Sequence, residues 1–218
     1  MATPYFQLRL ERVPSTQDVA REKLEDLPVL VLAAAQTEGR GRSGSEWLTA
    51  DRAVAASLAF HHAVDEGRPL SLMAGLAAVR ATSIAALKWP NDVMVAEAKV
   101  GGILVERSGD TTTIGLGLNL WWVDAPEGMG ALCVDDPGVE RYAEVGALWG
   151  AELMELLDGD TWPVDAYREV CVTMGREITW EPEGRGRAVD IAPDGALIVE
   201  TASGRESLYS GAVTHVRS

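Results

Sequence analysis

The sequence has only two cysteines in 218 residues, Cys133 and Cys171. They lie far apart, with no CxxC spacing and no histidine pair nearby. That argues against a disulfide framework and a thiolate metal site, and it suits two reduced, buried thiols in a cytoplasmic chain. Histidine is scarce too. His61, His62 and His215 form no HExxH or related pattern, so each reads as a surface or core residue. Positive charge is in short supply: 19 Lys and Arg stand against 33 Asp and Glu, a net charge of −14. Phosphate-rich partners call for the opposite field, so neither DNA nor an anionic membrane is an expected partner. A local basic site within an acidic body is still compatible with that total. No apolar run approaches the roughly 18 residues of a membrane helix. Met1-Ala2-Thr3-Pro4 lacks a basic segment followed by an apolar one, so no signal peptide is expected. There is no GxxxxGK[ST], no Rossmann glycine fingerprint and no Ser-His-Asp or Cys-His signature.

What remains is an ordinary globular composition, 47% hydrophobic and 24% charged, long enough for one sizeable core with a small appendage. Phe6, Leu8 and Leu10 alternate with polar residues as in a half-buried strand. Ser15 with Asp18 three residues on reads as a capping box opening a helix. Val29–Ala35 is a continuous apolar run suited to a buried strand, and Thr37–Glu46 a polar, glycine-rich loop. Ala53–Phe60 reads as a strand and Leu70–Ile84 as a buried helix. Short strands follow at Ala86–Trp89, Asp92–Val95, Val100–Arg107 and Thr112–Leu120, the last two joined through Ser108-Gly109-Asp110. Residues 123–138 read as loop, and Val139–Leu157 and Pro163–Met174 as helices. From Arg176 the pattern changes to short strands with tight turns. The expected architecture is α+β: a main domain over residues 1–175 with a mixed or antiparallel sheet and flanking helices, then a small β-barrel over residues 176–218 that leans on it.

Three polar segments interrupt the apolar strands. Gln36–Trp47 combines glycines, which free backbone N–H groups, with arginine forks suited to carboxylate or phosphate. Lys88-Trp89-Pro90-Asn91-Asp92 sets a charged lysine between apolar neighbours at a strand end, where an unpaired ammonium is costly. Lys99–Glu106 opens an apolar strand with a lysine and the pair Gly101-Gly102. Gly115 and Gly117 leave one bare face on a fourth strand. Each also has an ordinary reading: a mobile basic loop, a turn in which Asp92 pairs with Lys88, a solvated strand-end lysine, a packing accommodation. Together they gather cations, amides and a tryptophan around a glycine-lined surface, which suits an acid plus a nucleoside triphosphate. The pentapeptide EGRGR occurs twice, at Glu38–Arg42 and Glu183–Arg187. In the second copy Gly184 and Gly186 are expected to form a turn, with Arg185 and Arg187 as surface charges.

These pieces resemble the biotin protein ligases (biotin–[acetyl-CoA-carboxylase] ligases). The matching stretches are STQ at Ser15–Gln17, QTEGRGRSGSEW at Gln36–Trp47, KWPNDVMV at Lys88–Val95, KVGGILVE at Lys99–Glu106 and GLGLN at Gly115–Asn119. GRAVDIAPDGALIVE in the carboxy-terminal segment resembles the same family's SH3-like domain. The resemblance implies a class II aminoacyl-tRNA-synthetase-like catalytic domain. It implies two half-reactions: biotin and ATP, with Mg2+ arriving on the nucleotide, give biotinyl-5′-AMP, and a lysine of a biotin carboxyl carrier domain then takes the acyl group. Arg42 and Lys99 would be catalytic, Arg42 between the biotin carboxylate and the α-phosphate, Lys99 on the carboxyl oxygen. Ser15, Thr16 and Gln36 would hydrogen-bond the ureido head, and Gln17 would belong to the biotin site. Gly39, Arg40 and Gly41 would belong to the loop closing over biotin, and Gly102 and Gly117 would leave room for its rings. Trp47, Lys88, Asn91, Asp92 and Asn119 would face the nucleotide, with no resident metal.

Two departures stand out. Ser45 occupies a position where the family often has arginine, and Gln17 replaces the usual asparagine. The first strand starts close to Met1, so a form without an amino-terminal DNA-binding domain is expected. The family can pair through the main sheet, which leaves a homodimer as an open expectation. The rivals are a lipoate or octanoate ligase on the related fold, whose RRxxGGG-type motif is missing, and a non-catalytic biotin-binding relative.

Overall fold

Val29–Gln36 is apolar for seven consecutive residues, and residues 29–33 are buried. A strand with both side-chain rows apolar needs a layer on each face, and that requirement organises the fold. The computed structural model describes residues 3–45, 47–61, 67–83 and 85–216. Glu46, His62 and Ile84, which figure in the readings above, lie outside the described residues.

In chain order the elements are β1 (Phe6–Val13), α1 (Thr16–Glu22), β2 (Val29–Gln36), a 3-10 turn (Arg42–Gly44), β3 (Arg52–His61), α2 (Leu70–Thr82), β4 (Ala86–Lys88), β5 (Asp92–Val95), β6 (Ala98–Ser108), β7 (Thr111–Trp121), α3 (Arg141–Asp158), α4 (Val164–Val170), β8 (Glu177–Trp180), β9 (Gly184–Ile191), β10 (Leu197–Thr201), β11 (Gly204–Leu208) and β12 (Val213–His215). The first seven strands form one sheet in the order β1-β2-β3-β7-β6-β5-β4. It is mixed, because β1 runs parallel to β2 while the other neighbours are antiparallel.

Period-2 alternation sorts the two faces. Leu30, Leu32, Val54, Leu58, Ile114, Leu116 and Leu118 share a core with residues of α2 and α3. Val29, Val31 and Ala59 pack instead with Ala20 of α1. α1 is short, so it covers only part of its face, and the uncovered part beside its amino terminus becomes the floor of a cavity.

The last five strands form an antiparallel sheet, β11-β10-β9-β8-β12. Ile178, Ala188, Ile191, Leu197, Val199 and Val213 belong to the same buried cluster as the main core. Trp89 of the β4–β5 turn donates from Nε1 to the Gly195 carbonyl at 3.1 Å, and Trp162 likewise to Pro193. The second sheet therefore does lean on the first.

Several expectations need correction. Gly184 and Gly186 are not a turn: they lie in β9, Gly184 opposite Trp180 and Gly186 opposite Ile178. The turn falls one step earlier, over 181–183. Gly186 is required by close approach, because a β-carbon there would press on Val199 of β10. Arg185 and Arg187 are exposed. The capping box does not form. Ser15 occupies the N-cap with extended backbone but makes no side-chain cap bond, and Asp18 is drawn away to arginines, a stronger charge-assisted contact. The helix expected over Pro163–Met174 is only Val164–Val170. It stops because Cys171 bridges to Leu87 and Val172 N–H donates to the Leu87 carbonyl. The helix expected from Val139 starts at Arg141. Among the described residues no helix is long and apolar enough to cross a membrane.

Candidate active site

The cavity on the α1 face of the main sheet has a volume of about 510 Å3, within the range of small-molecule sites. Fourteen of the residues singled out above line it: Ser15, Thr16, Gln17, Gln36, Arg40, Gly41, Arg42, Trp47, Lys88, Asn91, Asp92, Lys99, Gly102 and Gly117. Gly39 and Asn119 do not. Gly39 supports the wall from behind, accepting from Trp47 N–H at 3.0 Å. Asn119 is fully buried, and its amide donates to the Gly130 carbonyl at 3.0 Å.

At the closed end the amino terminus of α1 meets the end of β2. Thr16 N–H donates to Gln36 Oε1 at 2.7 Å, and the Thr16 hydroxyl donates to the same oxygen at 2.9 Å. A backbone N–H can only donate, so the Gln36 amide orientation is settled by the network. Its NH2 group is left for something else. Thr16 Oγ1 is also 2.8 Å from Ser57 Oγ. Ser57, fully buried on β3, was missed from sequence, although a lone hydroxyl in the run Ala53–Phe60 is a signal of the right kind. Gln17 donates from Nε2 to the Leu104 carbonyl at 3.2 Å, and its Oε1 is buried without a partner. The closed end thus offers a donor from Gln36, with the unmet Gln17 oxygen buried beside it.

The floor is a pair of glycines in register, Gly102 on β6 and Gly117 on β7. Their bare faces are filled by protein. A β-carbon at Gly117 would stand 2.6 Å from Trp47 Cε2, and one at Gly102 would stand 3.3 Å from Trp47 Cζ3. The room expected for ligand rings over these glycines seats the Trp47 indole, which forms a wall of the remaining cavity.

Cations gather at the open end, each in a different state. Arg40, at the rim, is held by a bidentate pair with Asp18 at 2.7 and 2.8 Å and a contact to Glu106 at 3.3 Å. Arg21 reaches the same two acids. The hydrogen bond from Arg40 holds the Asp18 carboxyl below its ordinary value, and the reciprocal bond raises Arg40. Arg42 donates to Asn91 Oδ1 at 2.8 Å, while Asn91 Nδ2 donates to the Ile103 carbonyl. Lys99 Nζ is 2.6 Å from Asp92 Oδ1. The ordinary reading, in which Asp92 pairs with Lys88, is not what forms: Asp92 pairs with Lys99, although Lys88 and Asp92 face each other in the hairpin. Among the described residues Lys88 has no hydrogen-bond or ion-pair partner, and Arg42 pairs with no carboxylate. Among the described residues Asp92 is the one acid lining the cavity, against four cations, so these residues make a positive site inside a chain of charge −14.

Two features were not readable beforehand. The segment after β7 returns as a strap: Lys99 N–H donates to the Gly128 carbonyl and Gly130 N–H to the Lys99 carbonyl, both at 2.9 Å, which brings Met129 to the cavity. His215 of β12 shares a 3.2 Å hydrogen bond with Thr173, whose hydroxyl also accepts from Trp89 N–H. Burial, then the Lys88 and Arg176 charges, bring its pKa down to about 4. Cys171 is buried and its thiol is pushed up, chiefly by desolvation, so it is a poor nucleophile. Among the described residues no three His, Cys, Asp or Glu side chains cluster to hold a metal.

The model of the biotin/lipoate A/B protein ligase family matches residues 10–119, half of the chain and nearly all of the cavity wall. The chain belongs to that family. A second model, the biotin protein ligase C terminal domain, matches residues 168–216. A biotin–[acetyl-CoA-carboxylase] ligase of Paracoccus denitrificans is 31% identical over 214 residues, covering 84% of this chain and 88% of that one. The enzyme of the same name from Mycobacterium tuberculosis is 31% identical over 219 residues, covering 87% and 79%. Among solved structures, a biotin protein ligase from Aquifex aeolicus in complex with biotin and ATP superposes with a TM-score of 0.83 at 26% identity, covering 98% of this chain and 99% of that one.

Proposed function

We infer that the protein is an ATP-dependent biotin–protein ligase that makes biotinyl-5′-AMP and passes the biotinyl group to a lysine of a biotin carboxyl carrier domain. The observation that carries this reading is one cavity with an amide-complementary closed end and a cationic open end. A ureido group presents N–H donors and a carbonyl acceptor. The free NH2 of Gln36 suits the carbonyl, and the unmet Gln17 oxygen would suit the N–H once the side chain turns it toward the cavity that Gln17 lines. Ser15 and the Gly39–Gly41 backbone would complete the enclosure.

At the other end a carboxylate must approach a polyanionic nucleotide, and cations have to offset that repulsion. Arg42, with no carboxylate partner among the described residues, would bridge the biotin carboxylate and the α-phosphate. Lys88 would face the phosphates. Asp92, with Asn91 beside it, fits a magnesium ion that arrives on ATP, since such ions are held by one or two carboxylates plus phosphate oxygens. Trp47 would pack along the biotin tail or the adenine. Asn119 lies behind the wall, so its nucleotide role would be exerted through Gly130 of the strap. In the first half-reaction the biotin carboxylate attacks the α-phosphorus and pyrophosphate leaves. In the second the lysine amine attacks the acyl carbon, a C–N bond forms, the C–O bond to AMP breaks, and the amine gives up a proton. Lys99 would stabilise charge on the carboxyl oxygen in both.

The same reading takes residues 1–175 as a catalytic domain akin to the class II aminoacyl-tRNA synthetases and residues 176–218 as an SH3-like domain. It places the protein in the cytoplasm, with a homodimer through the main sheet as one assembly and no DNA partner. Biotin-dependent ATP–pyrophosphate exchange tests it. Exchange with biotin and not lipoate is expected. Exchange with lipoate alone would move the chain to the lipoate branch, and biotin binding without exchange would make it a non-catalytic relative.

A further inference from the structure

Lys99 sits at the second residue of β6, and three features aim it. The register of β5 against β6 shifts between Val93 and Met94, so that Asp92 faces Gly102 while Met94 faces Lys99. Such an irregularity re-aims side chains. The strap fixes the Lys99 backbone on both sides. The aliphatic stem then crosses the bare face of Gly102, where a β-carbon would lie 3.7 Å from Lys99 Cε. Only the ammonium is left to be placed, and it ends 2.6 Å from Asp92 Oδ1, with the Trp47 ring centroid 5.9 Å away.

We propose that Asp92 is a positioning residue for Lys99 in the transfer half-reaction, a role that requires no metal. The proposal rests on the ligase reading above. An ammonium has three N–H donors on a flexible four-carbon stem. The bond to Asp92 uses one donor and removes the stem's freedom. Two donors stay available for the acyl oxygen as the carrier amine attacks. Asp92 would also be the carboxylate within reach of a cation carried in on the nucleotide and would then share its oxygens with it; without one, Asp92 holds Lys99 as it does here, at 2.6 Å.

The test supplies biotinyl-5′-AMP directly, in excess chelator, and follows single-turnover transfer to an isolated carrier domain. Asp92→Asn and Asp92→Ala should slow the step by about 10- to 100-fold, the scale of a misplaced stabilising group, with the carrier concentration for half-saturation unchanged. In a Lys99→Ala background the Asp92 substitutions should cost nothing more, since a positioning residue has nothing left to position. Wild-type transfer by Asp92→Ala, together with lost ATP-dependent adenylate synthesis, would overturn the proposal and leave Asp92 to the metal alone. Multiplying losses in the double variants would also overturn it. Failure of the unsubstituted protein to transfer from the supplied adenylate would instead sink the ligase reading itself.

Discussion

Thr16 donates twice to one oxygen of Gln36, from its backbone N–H at 2.7 Å and from its hydroxyl at 2.9 Å. This fixes which end of the Gln36 amide faces the cavity and ties the start of α1 to the end of β2. Thr16→Val keeps the shape and the backbone donor but deletes the hydroxyl. Ser57, fully buried, then loses its partner as well. The expected cost is about 1–3 kcal/mol of stability, the scale of an unmet buried polar group. Biotin affinity should fall roughly tenfold as the Gln36 amide loosens. Denaturant midpoints and calorimetric titration with biotin measure the two, and unchanged affinity would remove Thr16 from the recognition argument.

Arg40 clasps the Gly39–Arg42 loop to Asp18 of α1 and Glu106 of β6. Asp18 is held below its ordinary value of 3.8 in the folded state, mainly by the hydrogen bond from Arg40. A depressed carboxyl contributes stability that is fully present above the unfolded value and lost as pH falls through the folded one. The clasp should therefore be insensitive to pH from neutrality down to about pH 4 and open below it. Both partners are well exposed, so salt should weaken it. Tryptic cleavage after Arg40 and Arg42 should be faster in Asp18→Asn and in high salt. Equal cleavage rates in Asp18→Asn and the parent would show that the loop is held by other contacts.

Gly117 and Trp47 share one volume. Gly117→Ala would bring a β-carbon within 2.6 Å of the indole. Overpacking of this kind costs about 1–3 kcal/mol, and the displaced ring should obstruct the cavity and weaken biotin binding. Trp47→Ala makes room, so Gly117→Ala should cost little further in that background. A full penalty in the double variant would place the clash elsewhere.

Lys99→Ala should lower adenylate formation by about 100-fold or more, as loss of a charge placed on the reacting oxygen does. Biotin affinity, set at the other end of the cavity, should change much less. Pre-steady-state pyrophosphate release separates the two effects.

The strands were readable where apolar alternation or a continuous apolar run left one option, as in β2 and β7. The convergence of Gln36–Trp47, Lys88–Asp92 and Lys99–Glu106 on one cavity was readable as well, because each sets polar groups at the end of a buried strand. What sequence could not supply was which neighbour fills a gap. Gly117 reads as room for a ligand until Trp47, seventy residues earlier, is seen to occupy it. Asp92 has two lysines in reach, and only the register shift in β5–β6 selects Lys99. The two EGRGR copies share five letters, yet one lines a cavity and the other is a strand, because Gly186 must pass close to β10. In each case the deciding contact is long-range, and local pattern carries no information about it.

The most direct measurement is incubation of the protein with biotin, MgATP and a carrier domain, followed by intact-mass analysis of the carrier. The account predicts one biotinyl adduct on a single carrier lysine, dependent on ATP and lost in Lys99→Ala. An unmodified carrier despite bound biotin, or an adduct that forms with lipoate and not with biotin, would contradict it.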